Sequence, residues 1–230
     1  MNTIYLVRHG ENPANITHEF ASRNIDYSLN EKGREQARQT AEYLLDKGID
    51  EIYASPLKRA RETAESIAGR LGLPVTIMEE FREIQVGDLE GLPVSRELWD
   101  QHDAIMIDWL SGKHDSTFPN GDSYHSLWGR MRRGLEKITA GKQGKRIVVV
   151  AHGGLFTATM RSLCPEADMM KVLGQPNGNC SVSQVHLENN GSGLRGELVE
   201  WSHIDHLSGV AAELVLGFPD RGNLFTQHGV

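Results

Sequence analysis

The chain of 230 residues, 39% hydrophobic and 24% charged, holds no apolar stretch approaching the length of a membrane span. Its length suits one globular domain, or one with a small excursion, and is enough to bury a core without disulfide or metal staples. A formal net charge of −7 argues against nonspecific binding of nucleic acid or an anionic membrane, so an anionic ligand would need a local basic pocket.

The apolar run Ile4-Tyr5-Leu6-Val7 predicts a first strand over 4–7, ending at Arg8-His9-Gly10. Residues 11–30 are polar, with Pro13 and several Asn, and read as an irregular loop. Asn30 is placed to cap a helix over about 31–47, with Ala37, Ala41, Leu44 and Leu45 on its apolar face and Gly48 ending it. A second strand is expected at 49–54, a helix opened by Ser55-Pro56 and running to about 71, and a short strand at 75–78 after Gly72 and Pro74. Strands alternating with helices predict a parallel, covered sheet.

Residues 79–120 lose this rhythm and read as an inserted, partly helical cap, set at roughly 84–120. A helix over about 122–140 follows. The glycines of 141–145 precede a strand and not a helix, so they read as a turn and not a phosphate loop. The most strand-like segment, 147–151, ends at His152-Gly153-Gly154, and 155–163 is the next helix. Segments 181–187 and 197–201 predict a late pair of strands joined by a turn-rich 188–196. The tail beyond Leu207 combines an apolar helical stretch with a Gly/Pro end. Cys164 and Cys180 lack metal-ligand spacing and read as buried or incidental thiols of a reducing compartment, a disulfide between them being the unmotivated alternative. With a start that runs straight into a strand, this leads to the expectation of a soluble, cytoplasmic protein.

Two strands ending in Arg8-His9-Gly10 and Ala151-His152-Gly153-Gly154 place two histidines at one edge of one sheet. Ligands of open parallel sheets bind outside the carboxyl ends of the strands. A single strand-end histidine more often serves structure; the pair points to chemistry. Held by a strand, with an arginine able to grip phosphate oxygens through two parallel hydrogen bonds and a glycine permitting close backbone approach, His9 suits a phosphoryl-transfer nucleophile. Arg59 falls in the first turn of a helix opening at the same edge, where N–H groups and the positive helix end favour an anion. Arg61 is rotated to another face and reads as a surface residue or one that backs the site without touching the ligand. For an acid, Glu79, Glu80, Glu83, Asp88 and Glu90 are all within reach, and spacing does not choose among them.

In this order, Leu6-Val7-Arg8-His9-Gly10-Glu11 with Asn15, the block 29–37, Ser55-Pro56-Leu57-Lys58-Arg59-Ala60 with Thr63, and Arg82-Glu83-Ile84 with Gly87 and Glu90-Gly91 resemble the motifs of the histidine phosphatase superfamily, the phosphoglycerate-mutase-like fold. Phe118-Pro119-Asn120-Gly121-Asp122-Ser123, Val150-Ala151-His152-Gly153-Gly154 and Asn179-Cys180-Ser181-Val182 extend the resemblance to nearly the whole chain. Asn120 and Asp122 depart from the family's Pro-Gly-Gly-Glu-Ser element. The resemblance implies an α/β fold, a three-layer α/β/α sandwich with a mostly parallel central sheet and a small helical cap, as one domain over 1–230. It implies His9 as the nucleophile that becomes phosphorylated, and Arg8, Arg59, His152, Asn15 and Gly153 around the phosphoryl group. Glu83, which matches the family's acid, is implied as general acid and base. No cofactor and no metal are expected, because arginines neutralise the phosphate.

Those roles agree with the chemistry. An ordinary imidazole pKa of about 6.5 leaves much of His9 neutral near pH 7, and a fixed acceptor on its other nitrogen would set the tautomer. Cations around the phosphoryl group stabilise its equatorial oxygens, and a carboxyl beside phosphate is raised in pKa by like charge.

Mutases of the family carry a Glu-Arg-His-Tyr-Gly acid motif, a longer insertion and a consecutive arginine pair. Here the motif is Glu83-Ile84-Gln85-Val86-Gly87, and Arg132-Arg133 sit in a predicted helix. The expectation is a metal-independent phosphatase acting on a small-molecule phosphomonoester, without nucleic-acid or membrane partners. The alternatives are a cofactor-dependent phosphoglycerate-type mutase and a noncatalytic phosphate- or phosphoprotein-binding module. Trp99, Ile105, Met106, Ile107, Trp109 and Phe118, with Phe20 and Ile25, either wall the site or pack the cap, packing being the commoner role. His203, Asp205 and His206 could suggest a metal; the family's Trp…His-Leu ending, matched by Trp201 and His206-Leu207, makes them structural. His114, His125 and His186 have no partners evident in the sequence.

Overall fold

A computed structural model describes residues 1–190, 193–213 and 215. The first strand is β1 (Asn2–Arg8), and the loop after it contains a short helix, α1 (Pro13–Thr17), where an irregular chain was expected. Asn12 accepts from the Ala14 N–H while Asn15 accepts from the Asn12 N–H, a reciprocal cap with Pro13 in the first turn. With no buried residue of its own, α1 gives no periodic signal.

The helix α2 (Glu31–Leu44) starts where Asn30 Oδ1 accepts from the Gly33 N–H, and a tight turn at 45–47 leads to Gly48 at φ 63°. β2 (Glu51–Ala54), α3 (Lys58–Leu71) and the short β3 (Val75–Ile77) follow as expected. Within 79–120 the one long helix is α4 (Arg96–Leu110), capped by Ser95. Next, α5 (Tyr124–Thr139) begins two residues later than expected, because Ser123 and Ser126 cap each other and leave Asp122 outside as a buried acceptor. β4 (Arg146–Ala151) ends at the extended His152, so both following glycines already belong to α6 (Gly153–Leu163). A six-residue helix, α7 (Met169–Gly174), was not expected; Asp168 caps it.

β5 (Val182–Asn189) and β6 (Leu194–His203) are longer than expected. The supposed turn-rich stretch shrinks because Glu188 pairs with Arg195 and Asn189 with Leu194, ladder bonds overriding weak strand propensity. Of the tail, Gly209–Ala212 is one tight turn, with Ala211 packed beside Leu29, Ala37 and Leu207. The remainder of the expected apolar helix lies outside the described residues.

The sheet order is β3-β2-β4-β1-β5-β6. β1, β2, β3 and β4 pair in parallel, and β5 alone runs against its neighbours β1 and β6. Alternating residues build two cores. Tyr5, Val7, Val148 and Val150 face Ala41, Leu44, Ala64 and Ile67 of α2 and α3. Ile4, Leu6, Ile147 and Val149 face Leu127, Met131, Leu155 and Phe156 of α5 and α6. Burial on both faces explains why the central strands read as continuous apolar runs. Trp109 and Phe118, each 1% exposed, join the second core, so packing is their role. Among the described residues no helix is long and apolar enough to cross a membrane.

Candidate active site

Register decides where the histidines emerge. Val7 lies opposite Val150 and Arg8 opposite Ala151, so β1 and β4 end level, and the rings of His9 and His152 stand 5.2 Å apart. The chain then leaves β1 through Gly10 and Glu11, pressed onto the first turn of α2. A Cβ on Gly10 would sit 2.5 Å from the Gly33 carbonyl oxygen, and one on Gly33 would sit 2.0 Å from that of Glu11. The close approach that Gly10 permits is therefore to the backbone of α2.

The state of His9 follows from two hydrogen bonds. Its Nδ1 lies 2.8 Å from the Gly10 carbonyl, which can only accept, so Nδ1 carries the proton. Nε2 is left with its lone pair and accepts from Arg59 Nε at 3.1 Å. Burial, then the charges of Arg59 and Arg8, push the His9 pKa well below the ordinary imidazole value, and the ring is neutral. His152 is fully buried behind it, its Nε2 2.7 Å from Ser55 Oγ, and burial followed by Arg59 and His9 lowers its pKa likewise.

The two arginines approach from different elements. Arg8 Nη1 donates to the Asn177 carbonyl. Arg59, in the first turn of α3, donates from Nη2 to the Ala21 carbonyl at 2.7 Å. Burial lowers both guanidinium pKa values, Arg59 to about 10, with the charge of Glu83 opposing the shift; both stay cationic at neutral pH. Arg61 lies on the surface near Glu65, the first of the two places its helix position left open.

Glu83 is held at the start of α6. Its Oε1 accepts from the Leu155 N–H at 2.8 Å and the Ile84 N–H at 2.9 Å, and Oε2 accepts from the Gly154 N–H at 3.3 Å. A Cβ on Gly154 would come within 2.9 Å of Oε1, so glycine there makes room for the carboxylate. Asn15 Oδ1 accepts from both Asn12 N–H and Asn179 Nδ2, leaving its own amide N–H groups to point elsewhere. Gly153 seats the Arg8 side chain, whose Cδ and Nε would lie 3.3 Å from a Cβ there.

Arg8, His9, Asn15, Arg59, Glu83 and Gly153 line one cavity of about 340 Å³; His152 stands behind its wall. The outer part is lined by Phe20, Ile84, Val86, Trp99 and Met106, next to the His102–Asp103 pair at 2.9 Å. Ile25, Ile105 and Ile107 do not reach it. Among the described residues, six buried side-chain polar atoms lack a hydrogen-bond partner, and four of them surround this site: Arg8 Nε, Arg59 Nη1, His152 Nδ1 and Asn177 Nδ2. Buried nitrogens are ordinarily satisfied, and an anion with several acceptor oxygens would satisfy these.

Several contributors escaped sequence reasoning. Asn177 lies two residues before a quoted motif, and nothing local marks it. Asn179 was in the motif, but only the fold reveals that its amide ties the His9 carbonyl to Asn15. Glu90 accepts from the backbone N–H groups of Ser22, Arg23, Asn24 and Ile25, all at 2.9–3.0 Å, and so anchors the loop that carries Ala21.

The other candidates fall away from the site. His203 and His206 stack on Tyr43, and His206 Nε2 lies 3.0 Å from Thr40 Oγ1, packing β6 onto α2. His114 stacks on Tyr124 at 3.7 Å, with His125 edge-on to both rings, and His186 lies 3.7 Å from Glu197. Both cysteines are buried and free, and burial pushes each thiol pKa up to about 12.

Comparison with known proteins gives a consistent result. Residues 4–198 match the sequence model of the histidine phosphatase superfamily (branch 1). A metal-independent phosphoserine phosphatase of Arabidopsis thaliana is 33% identical, over 95% of this chain and 86% of its own. A probable phosphoglycerate mutase, GpmB of Erwinia tasmaniensis, is 31% identical over 93% and 98%. The solved structure of a mycobacterial glucosyl-3-phosphoglycerate phosphatase superposes with a TM-score of 0.73 at 27% identity, covering 87% of this chain and 98% of that one.

Proposed function

The chain belongs to the histidine phosphatase superfamily and is a phosphoric monoester hydrolase; from that premise we propose that it works through a phosphohistidine on His9, with Glu83 as general acid and base. The observation that carries this reading is the state of His9. A neutral ring with Nδ1 tied to a carbonyl presents Nε2 as the nucleophile, between two guanidinium groups.

A phosphoryl dianion between Arg8 and Arg59 satisfies their unpartnered N–H groups, and His152 Nδ1 and the Asn15 amide add further contacts. Nε2 attacks phosphorus while the bond to the leaving oxygen breaks, and Glu83 gives that oxygen its proton. Water then enters, Glu83 takes a proton from it, and the oxygen displaces Nε2 to release phosphate. Glu83 Oε2, with only the longer contact, is the oxygen left to carry the proton.

Residues 84–120 act in this reading as a cap over the single domain, supplying Trp99, His102, Asp103 and Met106 from α4 to the outer wall. The cavity has the size of a small-molecule site. Its half-apolar rim fits a phosphomonoester with a sizeable, partly nonpolar leaving group. The mutase and binding-module alternatives differ in outcome. Rapid acid-free quenching with labelled p-nitrophenyl phosphate is expected to trap acid-labile phosphate on His9, absent in His9→Ala, with net hydrolysis at each turnover. Isomerisation of 3-phosphoglycerate with negligible hydrolysis would make the protein a mutase, and folded protein with neither label nor turnover would make it a binding module.

A further inference from the structure

We propose that Arg130 and Asp122 are positioning residues for Glu83, an ion pair behind the acid that sets how well it protonates the leaving group. The proposal rests on the reading of Glu83 as the general acid.

Residues 82–86 between the tight turn Glu79–Phe81 and the turn Gly87–Leu89 form no helix or strand, so no ladder fixes Glu83. Arg130, on the inner side of α5, does that work from a distance. Its Nη1 donates to the carbonyls of Arg82 and Glu80, and its Nη2 donates to the Glu83 carbonyl at 3.3 Å and to Asp122 Oδ2 at 2.8 Å. Asp122 holds the other flank: Oδ2 also accepts from the Gln85 N–H at 2.9 Å, and its own N–H donates to the Gln85 carbonyl at 2.7 Å. Ser126 Oγ donates to its remaining oxygen at 2.7 Å. The backbone is thus gripped at 80, 82, 83 and 85 by one pair, whose side chains are 13% and 10% exposed. The Glu83 carboxylate is pinned at its other end by Gly154 and Leu155 of α6.

Such a grip needs a planar fork with several donors. A lysine at 130 would keep the charge but could not serve the acceptors in one plane. Neither Arg130 nor Asp122 lines the cavity; the charge of Arg130 also reaches His152, and Arg130→Lys keeps that charge while removing the fork.

Leaving-group dependence separates this role from general damage to the fold. p-Nitrophenolate departs with little protonation, whereas an alkoxide needs a well-aimed acid. The experiment measures kcat/KM of Arg130→Lys, Asp122→Asn and Glu83→Gln on p-nitrophenyl phosphate and on propyl phosphate. Arg130→Lys and Asp122→Asn are expected to lose about tenfold or more on propyl phosphate and no more than about threefold on p-nitrophenyl phosphate. Glu83→Gln should show the same discrimination, larger. Equal losses on both substrates in the two positioning variants, with discrimination intact in Glu83→Gln, would overturn the proposal. No discrimination in Glu83→Gln overturns the acid assignment itself, and this proposal with it. Should Asp122→Asn not fold, Arg130→Lys carries the same comparison.

Discussion

The floor and the outer wall of the cavity are held by different forces. The floor is an extension of the sheet: Val7 and Ala151 are fully buried, the His9 N–H continues the ladder to the Ala151 carbonyl, and Arg59 springs from the first turn of a packed helix. The wall has no such frame. Its loop at 22–25 hangs on one carboxylate, Glu90, and its 80–85 segment on one ion pair, Arg130 with Asp122. His9 therefore sits where many weak contacts share the load, and Glu83 and the outer wall sit where one or two side chains carry it. Loss of one partner should be local and large in the wall, and chemical more than structural in the floor.

The largest effect tests the floor. Arg59→Ala removes the donor to His9 Nε2 and one phosphate clamp, and kcat/KM on p-nitrophenyl phosphate is expected to fall about 100- to 1000-fold. A loss below tenfold would break the view that this arginine organises the nucleophile.

Acid should weaken the two regions in sequence. His9 and His152 are buried and neutral, and half-buried His206, away from the cavity, has its pKa pushed down to about 4 by burial and then by His203. On unfolding each returns to about 6.5, so the unfolded chain binds more protons and stability is lost as pH falls from about 6.5 toward 4. His206 alone accounts for up to about 3 kcal/mol of this. At Glu90, burial acts to raise the pKa, and the backbone donors of Arg23, Ile25, Ser22 and Asn24 outweigh it, holding the carboxyl below its ordinary range. Its contribution is present above about 4.3 and lost as pH falls further. Urea unfolding between pH 7 and pH 5 should show the histidine loss, diminished in His206→Gln; a flat profile would contradict it.

A smaller effect isolates the wall. Glu90→Gln sets an amide against the bundle of N–H donors, and the expected cost is about 1–3 kcal/mol of stability. KM should rise about tenfold with kcat changed less, because the loop carrying Ala21 shifts while His9 and Arg59, held by the sheet and α3, do not. An unchanged KM would show that the loop does not depend on this anchor. At the bottom of the scale, Arg61→Ala should alter stability by no more than about 0.5 kcal/mol and leave kcat/KM unchanged, since its pairing with Glu65 is exposed at 3.8 Å.

How much could be read beforehand follows the same division. The β1 and β4 runs, the caps at Asn30 and Gly48, and the separation of Arg59 from Arg61 all rest on local periodicity, and each stands in the fold. The helices α1 and α7 escaped because five and six residues cannot display a period. The late strands were cut short because residues 188–196 look like a turn until a partner strand is paired with them. Among five nearby acids, spacing alone does not separate Glu83 from Glu90; family resemblance points to Glu83, and the fold gives the two different partners, the start of α6 for Glu83 and the loop at 22–25 for Glu90.

The sequence by itself determined that two histidines leave adjacent parallel strands at one sheet edge, with an arginine in the first turn of a helix at that edge. Apolar runs and caps are interactions among near neighbours, and their signature is written in consecutive residues. Only the tertiary structure decided which His9 nitrogen keeps its lone pair, how Glu83 is aimed and which backbone N–H groups Glu90 holds. Those decisions depend on backbone N–H and carbonyl groups brought from distant segments, and every segment carries such groups whatever its side chains.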